Sequence, residues 1–285
     1  IQAADPATRE TLAIQPDHAS AGLRSSTSPR ANQLGAIVRP DPRVVARSLP
    51  GAKEQSFGIW VCAALGENLP GSHQTYLQHL VARFDGNTPR ERAKSFLDAY
   101  IHALVPPLLR FTCTYGVVLE AHLQNMMVVH AGARILGFVI RDLGGIRLCR
   151  PRLQRAGYDI DLAPGSFLIS PDHAEFLAKL THTLLHAHLG SVIAWAQATC
   201  DADPNHAWQT VRREITTRLA TWARLDPSIR EACQRDQATL LAPTHRAKAL
   251  FAMRLLGRSV DYHYTTVDNP LAHSPPRPSS PESSS

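Results

Sequence analysis

The chain has 285 residues, of which 44% are hydrophobic and 19% are charged, so it can bury a sizeable core in one large or two small domains. This balance excludes a disordered chain. No window approaches 18 uninterrupted apolar residues, which excludes a membrane-spanning helix. The net charge of +6 comes from scattered basic residues and not from a stripe, which argues against nucleic-acid binding.

The cysteines and the first residues of the chain both indicate a cytoplasmic protein. The five cysteines include no C-x-x-C pair that could hold zinc or an iron–sulfur cluster, so they are expected to be reduced thiols. The chain begins at Ile1 without Met, on a polar run that is unlike a signal peptide. We therefore expect a cytoplasmic chain that is cut from a longer protein.

Residues 1–50 are rich in Pro, Ser, Asp and Arg and contain one short apolar stretch, Leu34 to Val38, which reads as a strand or a helical turn. Alone, this segment would make a poor domain. We expect it to be the remnant of a preceding region, followed by one domain over 51–272 and a disordered, low-complexity tail over 273–285.

Helices are predicted in the first part of the domain. Residues 55–85 contain two helical stretches divided at Pro70-Gly71. Thr88, followed by Pro89 and then Glu91, forms a capping box that begins the next helix. Pro106-Pro107 is expected to break or kink that helix, and a further short helix over 108–115 ends at Gly116.

The next segment has the period of strands. Two apolar runs, Met126 to Val129 and Ile135 to Ile140, flank a turn at Ala131 to Arg134 and predict a β-hairpin. The remainder reads as helical. The predicted helices cover about 170–198, 205–224, a segment capped by Asp226-Pro227, and 247–256, which ends at Gly257.

Strongly polar residues bracket the predicted hairpin. Adjacent antiparallel strands lie only about 4.8 Å apart, so the start of the first strand and the end of the second are side by side. The polar groups should therefore converge. They are Glu120, His122, Gln124 and Asn125 before the first strand, and Arg141 and Asp142 at the end of the second.

This group of side chains suits chemistry on a metal-bound nucleotide. Asp142 at the strand end could hold Mg²⁺, with Glu120 or Asn125 completing the oxygen ligands. The imidazole of His122 could bond a substrate carboxylate. Kinase-like phosphotransferases have a comparable order of loop, hairpin and carboxylate, so the spacing alone predicts ATP and Mg²⁺. The alternative is a polar cluster at a sheet edge that serves only the fold.

Five short motifs together carry a family resemblance. EAHLQN, RDLGG, KALFAMRLL, VDNPL and the LGAIVRP segment closely resemble the C-terminal half of the IucA/IucC family, the NRPS-independent siderophore synthetases related to aerobactin synthetase. The resemblance covers about 10–272. It implies an α+β, helix-rich domain like the palm of a cupped hand, with a small antiparallel hairpin that carries the active-site motif.

The resemblance also implies an activity. Family members are ATP-dependent ligases that activate a carboxylate of citrate, or of a related polycarboxylate, as an acyl-adenylate and transfer it to a polyamine, hydroxylamine or alcohol. They are commonly dimers. The matching positions imply that His122, Glu120 and Gln124 are catalytic, that Asp142 and Glu120 hold Mg²⁺, and that ATP and substrate are bound by Gln124, Asn125, Arg141 and Lys248.

The chain departs from the family pattern in one respect. Members carry an upstream lysine followed by a Thr-Ser-x-x-Arg-Thr-like segment that binds ATP and the carboxylate, and Gly22 to Thr27 is not that segment. The chain is therefore expected to hold half of a site. A non-catalytic binding or dimerisation module is one alternative.

The same region also resembles the FhuF-type ferric-siderophore reductases. Their cluster-binding cysteines lie near the C-terminus, whereas Cys233 is the last cysteine here, which disfavours a redox function. His182, His186 and His188 suggest a metal site by helical spacing, but an ordinary helix surface is favoured over that site. Lys248 is expected on a helix.

Overall fold

The computed structural model describes residues 1–3, 5–22, 35–53, 55–163, 165–255 and 264–272. It confirms a mixed α+β, helix-rich fold. The strands are β1 (Leu12–Ile14), β2 (Ala19–Gly22), β3 (Gly35–Val38), β4 (Gly58–Val61), β5 (Val117–Val118), β6 (Met126–Ala131), β7 (Arg134–Ile140), β8 (Arg147–Leu148), β9 (Thr244–Lys248) and β10 (Tyr264–Asp268).

Helices make up the larger part of the described chain. They are α1 (Pro42–Ala46), α2 (Tyr76–Val81), α3 (Pro89–Tyr115), α4 (Arg150–Arg155), α5 (His173–Leu180), a π helix (Thr181–Leu189), α6 (Gly190–Cys200), α7 (Pro204–Leu225), α8 (Arg230–Leu240) and α9 (Leu250–Leu255). None of the helices in the described ranges is long and apolar enough to cross a bilayer.

The predicted hairpin is confirmed, and it forms the centre of a four-stranded sheet with the order β1-β7-β6-β4. β1 pairs in parallel with β7, and β4 pairs antiparallel with β6. The N-terminal segment thus completes the main sheet through Leu12–Ile14. The proposed division into 1–50 and 51–272 stays a prediction, and the tail over 273–285 lies outside the described residues.

Both faces of the sheet are buried, because successive side chains of a strand point to opposite faces. Met126, Val128 and Phe138 belong to the main core with α3 and its neighbouring helices. Met127, Val129 and Val139 belong to a smaller core that α1 and the short 3₁₀ turn Pro50–Ala52 cover. The hairpin is therefore fixed on both faces as well as along both edges.

The capping box that begins α3 is confirmed. The backbone amide of Glu91 donates to Thr88 Oγ1 at 3.2 Å, and the Glu91 carboxylate accepts from the Thr88 amide at 3.1 Å. Gly116 ends the helix in the left-handed conformation with φ 68°, where a side chain would be strained. These signals are local, which is why the sequence predicts them.

Of the break or kink expected at Pro106-Pro107, the break and the separate helix over 108–115 are wrong, since α3 continues to Tyr115. A proline at 107 cannot donate to the carbonyl of residue 103. The hydroxyl of Thr11 donates to that Ala103 carbonyl instead, at 2.7 Å. A side chain 92 positions away thus satisfies the orphaned acceptor and lets the helix pass through.

Two other predicted helical segments are helical only in part. The first stretch of 55–85 forms β4 and a 3₁₀ turn, and only the second stretch is helical, as α2. Ala247 and Lys248 lie in β9, paired with β10, and α9 begins only at Leu250; Gly257 lies outside the described residues. In both cases pairing with a distant strand overrides an ambiguous apolar pattern. The helices predicted near 170–198 and 205–224 and after Asp226-Pro227 are confirmed.

Candidate active site

The loop that precedes β6 carries Glu120, His122, Gln124 and Asn125, and hydrogen bonds hold it in one conformation. Asn125 is buried, and its side-chain amide donates to the Glu120 carbonyl at 3.2 Å. The Asn125 backbone amide donates to the His122 carbonyl at 3.0 Å. Asn125 therefore positions Glu120 and His122, whereas Gln124 is exposed.

Arg141 joins this loop to the end of β7. Its backbone amide donates to the Asn125 carbonyl at 3.0 Å, and its guanidinium donates to the Gln124 carbonyl at 3.0 Å. The predicted convergence of the two strand ends is thus seen in direct contacts. Asp142 follows with φ 62°, and its Oδ1 accepts from the Gly144 amide at 3.3 Å. A non-glycine residue in this region carries strain that is often found at functional sites.

Lys179 is the ion-pair partner of Glu120, and it is not among the site residues predicted from the sequence. Its ammonium contacts Glu120 Oε1, and its side chain is 3% exposed whereas that of Glu120 is 23% exposed. A buried lysine needs such a partner. The sequence contains one indication of this role for Lys179. Within the predicted helix, charged and histidine side chains recur at a spacing that puts them on one face, and they are Glu175, Lys179, His182 and His186.

His182 and Lys248 are two further titratable residues on which the charge of Glu120 acts. Burial, then the ammonium groups of Lys248 and Lys179, lower the pKa of His182 to about 4. Burial lowers the pKa of Lys248, against the attraction of Glu120 and with the repulsion of Arg147. β9 packs against α5 and the π helix, so Lys248 lies on the side of the strand ribbon that is within the field of Glu120 and His182. Lys248 thus joins the site from a strand, not from the expected helix.

His122 lies between charges of both signs. Its pKa is lowered, mainly because the ring is partly buried and also because the Lys179 ammonium repels a proton. The Glu120 and Asp142 carboxylates act in the opposite direction and raise the pKa. The imidazole is half-buried and is expected to be neutral at pH 7. It can therefore donate one hydrogen bond to a bound anion.

The three histidines of the HTLLHAH segment do not form a metal site. His188 is fully buried, where its Nδ1 donates to the Ala121 carbonyl at 2.9 Å and its Nε2 lies 2.7 Å from the Tyr100 hydroxyl. His186 Nε2 lies 3.2 Å from His245 Nδ1. The expected ordinary helix surface is thus wrong for His188, which holds the loop that precedes β6 through the Ala121 carbonyl.

The Mg²⁺ that the family resemblance implies fits the residues present. No three His, Cys, Asp or Glu side chains of the described residues gather to hold a metal ion by themselves. Mg²⁺, however, keeps several waters and is held by one or two carboxylates together with substrate phosphates. The charges of Glu120 and Asp142 both act on His122, so the described residues offer two carboxylates near this imidazole.

Comparison with known proteins shows the family to which this chain belongs. The family model described as "Ferric iron reductase FhuF-like transporter" matches residues 94–262, and the chain belongs to this FhuF-like family. The predicted resemblance to the C-terminal half of IucA/IucC siderophore synthetases is confirmed along with it, because its relatives are siderophore synthetases.

Three relatives show the extent of the likeness. Staphyloferrin A synthase of Staphylococcus aureus is 27% identical over 85% of this chain and 38% of its own length. The NRPS-independent siderophore synthetase rfs of Rhizopus delemar is 26% identical over 93% of this chain and 39% of its own length. D-ornithine–citrate ligase of Staphylococcus aureus is 24% identical over 85% and 38%. The chain spans about two fifths of the length of these relatives.

Solved structures share the fold. The petrobactin biosynthesis protein AsbB from Bacillus anthracis superposes with a TM-score of 0.71 at 16% identity, over 92% of this chain and 42% of that one. The ATP-bound aerobactin synthetase IucA from Klebsiella pneumoniae superposes with a TM-score of 0.66 at 24% identity, over 95% of this chain and 45% of that one. Both confirm the predicted architecture.

Proposed function

We propose that this chain is the part of a siderophore synthetase that activates a carboxylate of citrate, or of a related polycarboxylate, with ATP and passes the acyl group to an amine, hydroxylamine or alcohol. One observation carries the proposal. The Lys179 ammonium contacts the Glu120 carboxylate, and the charges of Glu120, Lys179 and Asp142 all act on His122. β9 packs against α5, and its Lys248 lies in the field of Glu120. Cations and carboxylates in one place are what a reaction between two anions requires.

The charges suit the first step, in which a carboxylate oxygen attacks the α-phosphorus of ATP and pyrophosphate leaves. His122 would donate to the attacking carboxylate, and Lys248 would offset the repulsion between the two anions. Bound Mg²⁺ would supply further charge neutralisation at the phosphates. Glu120 and Asp142 would hold that ion, and Lys179 holds the Glu120 carboxylate in place.

The nucleotide side of the site would be formed by Gln124 and Arg141. Gln124 is exposed at the loop surface, and Arg141 is anchored to its carbonyl. The side-chain amide of Asn125 donates to the Glu120 carbonyl and holds the loop, and its second N–H and its oxygen would be available to ATP or substrate. In the second step the amine nitrogen would attack the acyl carbon, and AMP would leave with the electron pair of the broken C–O bond.

The test is the product formed from ATP by the full-length protein. We expect AMP and pyrophosphate only when citrate or a similar acid is present, and we expect His122→Ala to lower this rate by about 10²-fold or more, as loss of one donor to a developing charge does elsewhere. His73→Ala removes an exposed histidine and is the control. Circular dichroism checks that both variants fold.

Two results would contradict the proposal. ADP as the product would indicate the kinase-like phosphotransferase, and unchanged AMP formation by His122→Ala would remove His122 from the site. A cytoplasmic homodimer is part of the same proposal, and light scattering of the purified protein checks the dimer.

A further inference from the structure

A cavity lined by α4 and by the first turns of α5 and α8 is not used in the steps above. Its volume is about 530 Å³, within the range of small-molecule sites. Its described lining contains none of the residues that are assigned to the reaction. Four of the lining residues are arginines, and they are Arg150, Arg152, Arg155 and Arg235.

The guanidinium of Arg152 serves the fold and not a ligand. It donates to both carboxylate oxygens of Asp236, at 2.6 and 2.7 Å, and both residues are buried. Its charge is therefore offset inside the protein. Arg150, Arg155 and Arg235 are exposed, so their charges are the ones that a bound molecule would meet.

These three arginines keep hydrogen-bond donors for a ligand. Arg155 Nη2 donates to the Thr114 carbonyl at 2.9 Å, which holds the guanidinium and leaves the donors on Nε and Nη1. Arg150 lies 3.8 Å from Asp159, whose side chain is 84% exposed, and such a pair is weak. The Arg235 side chain has no hydrogen bond or ion pair with any other described residue.

Two carboxylates share the lining, so the charge of the cavity is a balance. Asp172 caps α5, because its Oδ1 accepts from the Glu175 amide at 2.7 Å. Glu231, in the first turn of α8, is exposed. The three guanidiniums outnumber these two carboxylates, and the Asp172 charge is directed to the helix amides. The cavity therefore favours an anionic ligand.

The start of α8 adds positive charge to that of the arginines. No side chain of the described residues caps this helix, and the N–H groups of a first turn have no partner within their own helix. Glu231 and Ala232 of this turn line the cavity. Positive charge thus comes from two elements, α4 and α8. Ile169 and Phe176 add apolar surface to the lining, which suits a carbon chain.

We propose that this cavity binds an organic anion that carries two acidic groups, carboxylates or phosphates, on a short carbon chain. Arg150 and Arg155 bind one group, and Arg235 with the first turn of α8 binds the other. The guanidinium is the side chain whose planar fork matches carboxylate and phosphate oxygens. This binding does not depend on the proposed reaction, because no residue of the two sites is shared.

Cys149 provides the readout. It lines the cavity and is partly exposed, whereas the other four cysteines are buried. The full-length protein is alkylated with iodoacetamide, a neutral reagent, and mass spectrometry follows the peptide that contains Cys149. A ligand that covers the thiol slows alkylation by about tenfold at ten times its dissociation constant, by mass action. Cys149→Ser gives the background rate.

Three probes test the chemistry of the ligand. Glutarate carries two carboxylates, propane-1,3-diol bisphosphate carries two phosphates on a similar chain, and butyrate carries one carboxylate. We expect at least one of the two doubly acidic probes to protect Cys149, and the one that binds more tightly identifies the acidic group. Butyrate should protect only at much higher concentration. Protection by neither doubly acidic probe, or equal protection by butyrate, overturns the inference.

Variants of exposed residues test the arginines without disturbing the core. Arg150→Gln and Arg235→Gln should each raise the concentration for half-protection by about tenfold, the loss expected for a charged hydrogen bond. Glu231→Gln removes the opposing carboxylate and should lower that concentration by about twofold. Arg213→Gln, on an exposed arginine of α7 outside the lining, is the matched control. Unchanged protection in Arg150→Gln and Arg235→Gln, or an equal change in Arg213→Gln, overturns the inference.

Two further measurements separate this cavity from the candidate active site. No ATP is present during alkylation, so the result does not depend on the proposed reaction. His122→Ala should leave the protection of Cys149 unchanged, and loss of protection in that variant would place the anion at the candidate active site and overturn the inference. In Cys149→Ser, the protecting probe should raise the thermal midpoint, because it binds the folded chain. A midpoint that the probe leaves unchanged, or raises equally in Arg235→Gln, also overturns it.

Discussion

Gly145 lies so close to the Glu120 carboxylate that its position has no room for a side chain. A Cβ atom at this position would lie 1.7 Å from Glu120 Oε2 and 2.5 Å from its carboxyl carbon. No atom pair tolerates that approach, so the Glu120 carboxylate would have to leave its place. Its contact with Lys179 would then be lost.

We therefore expect Gly145→Ala to lower the rate of AMP formation at least tenfold, which corresponds to about 1.4 kcal/mol of transition-state stabilisation, while the protein stays folded. Gly144→Ala is the neighbouring control, because its Cβ would only touch Asp142 Oδ1 at 3.4 Å. The rates are measured with ATP and citrate. Equal rates in the two variants would show that the position of Glu120 is unimportant.

His188 makes stability depend on pH. Burial, against the hydrogen bond to Ala121, lowers its pKa to about 4, whereas the ring titrates near 6.5 when unfolded. Below pH 6.5 the His188 ring of the unfolded chain binds a proton, whereas the ring of the folded chain stays neutral until the pH falls to about 4. The free energy of unfolding thus falls as the pH falls through this window, and the contribution is complete above it.

We expect the urea midpoint of the wild type to fall between pH 7.5 and pH 5. His188→Asn keeps a donor for the Ala121 carbonyl but cannot titrate, so its free energy of unfolding should fall less steeply, by about one proton. His73→Gln is the control at an exposed position and keeps the wild-type slope. A wild-type slope in His188→Asn would assign the effect to other buried histidines.

At the scale of elements, the features that were predicted correctly are those with local signals. The capping box at Thr88, the end of α3 at Gly116 and the hairpin with its polar brackets each depend on residues a few positions apart. β4 and β9 depend on partners far along the chain. The same difference explains the site: Glu120, His122 and Asp142 were found beside the hairpin, whereas Lys179 reaches them only through tertiary packing.

The cap of α3 is expected to matter for stability alone. Thr88→Ala removes the acceptor for the Glu91 amide and should lower the free energy of unfolding by about 1 kcal/mol. The control is Thr217→Ala, at an exposed interior position of α7, which should be neutral or slightly stabilising because alanine favours helix. Urea unfolding measures both, and AMP formation should stay unchanged. A loss of activity in Thr88→Ala would mean that α3 transmits changes to the site.

At the scale of the whole molecule, one buried carboxylate ties three helices together. Asp236 in α8 is fully buried and accepts from Arg152 in α4 at 2.6 and 2.7 Å. His173, at the start of α5, lies 2.8 Å away. Burial alone would raise the pKa of Asp236, but the hydrogen bonds from Arg152 and His173 hold it below its usual value.

Asp236→Asn should therefore cost about 3 kcal/mol of unfolding free energy, because it leaves the buried Arg152 without a counter-charge. Glu231→Gln changes an exposed carboxylate of the same helix and should cost less than about 0.5 kcal/mol. Urea unfolding at pH 7 compares them. Similar midpoints for the two variants would mean that the packing of α4, α5 and α8 does not need the ion pair.

The order of strands around the site has a consequence for motion. β6 and β7 lie between β4 and β1, so their backbone amides are enclosed on all sides and should exchange with deuterium only when the whole domain unfolds. β9, which carries Lys248, has β10 as its pairing partner in a two-stranded ribbon, and such a ribbon is marginally stable by itself. The amides of the hairpin should therefore be the last in the domain to exchange, and those of β9, which carries Lys248, should exchange earlier.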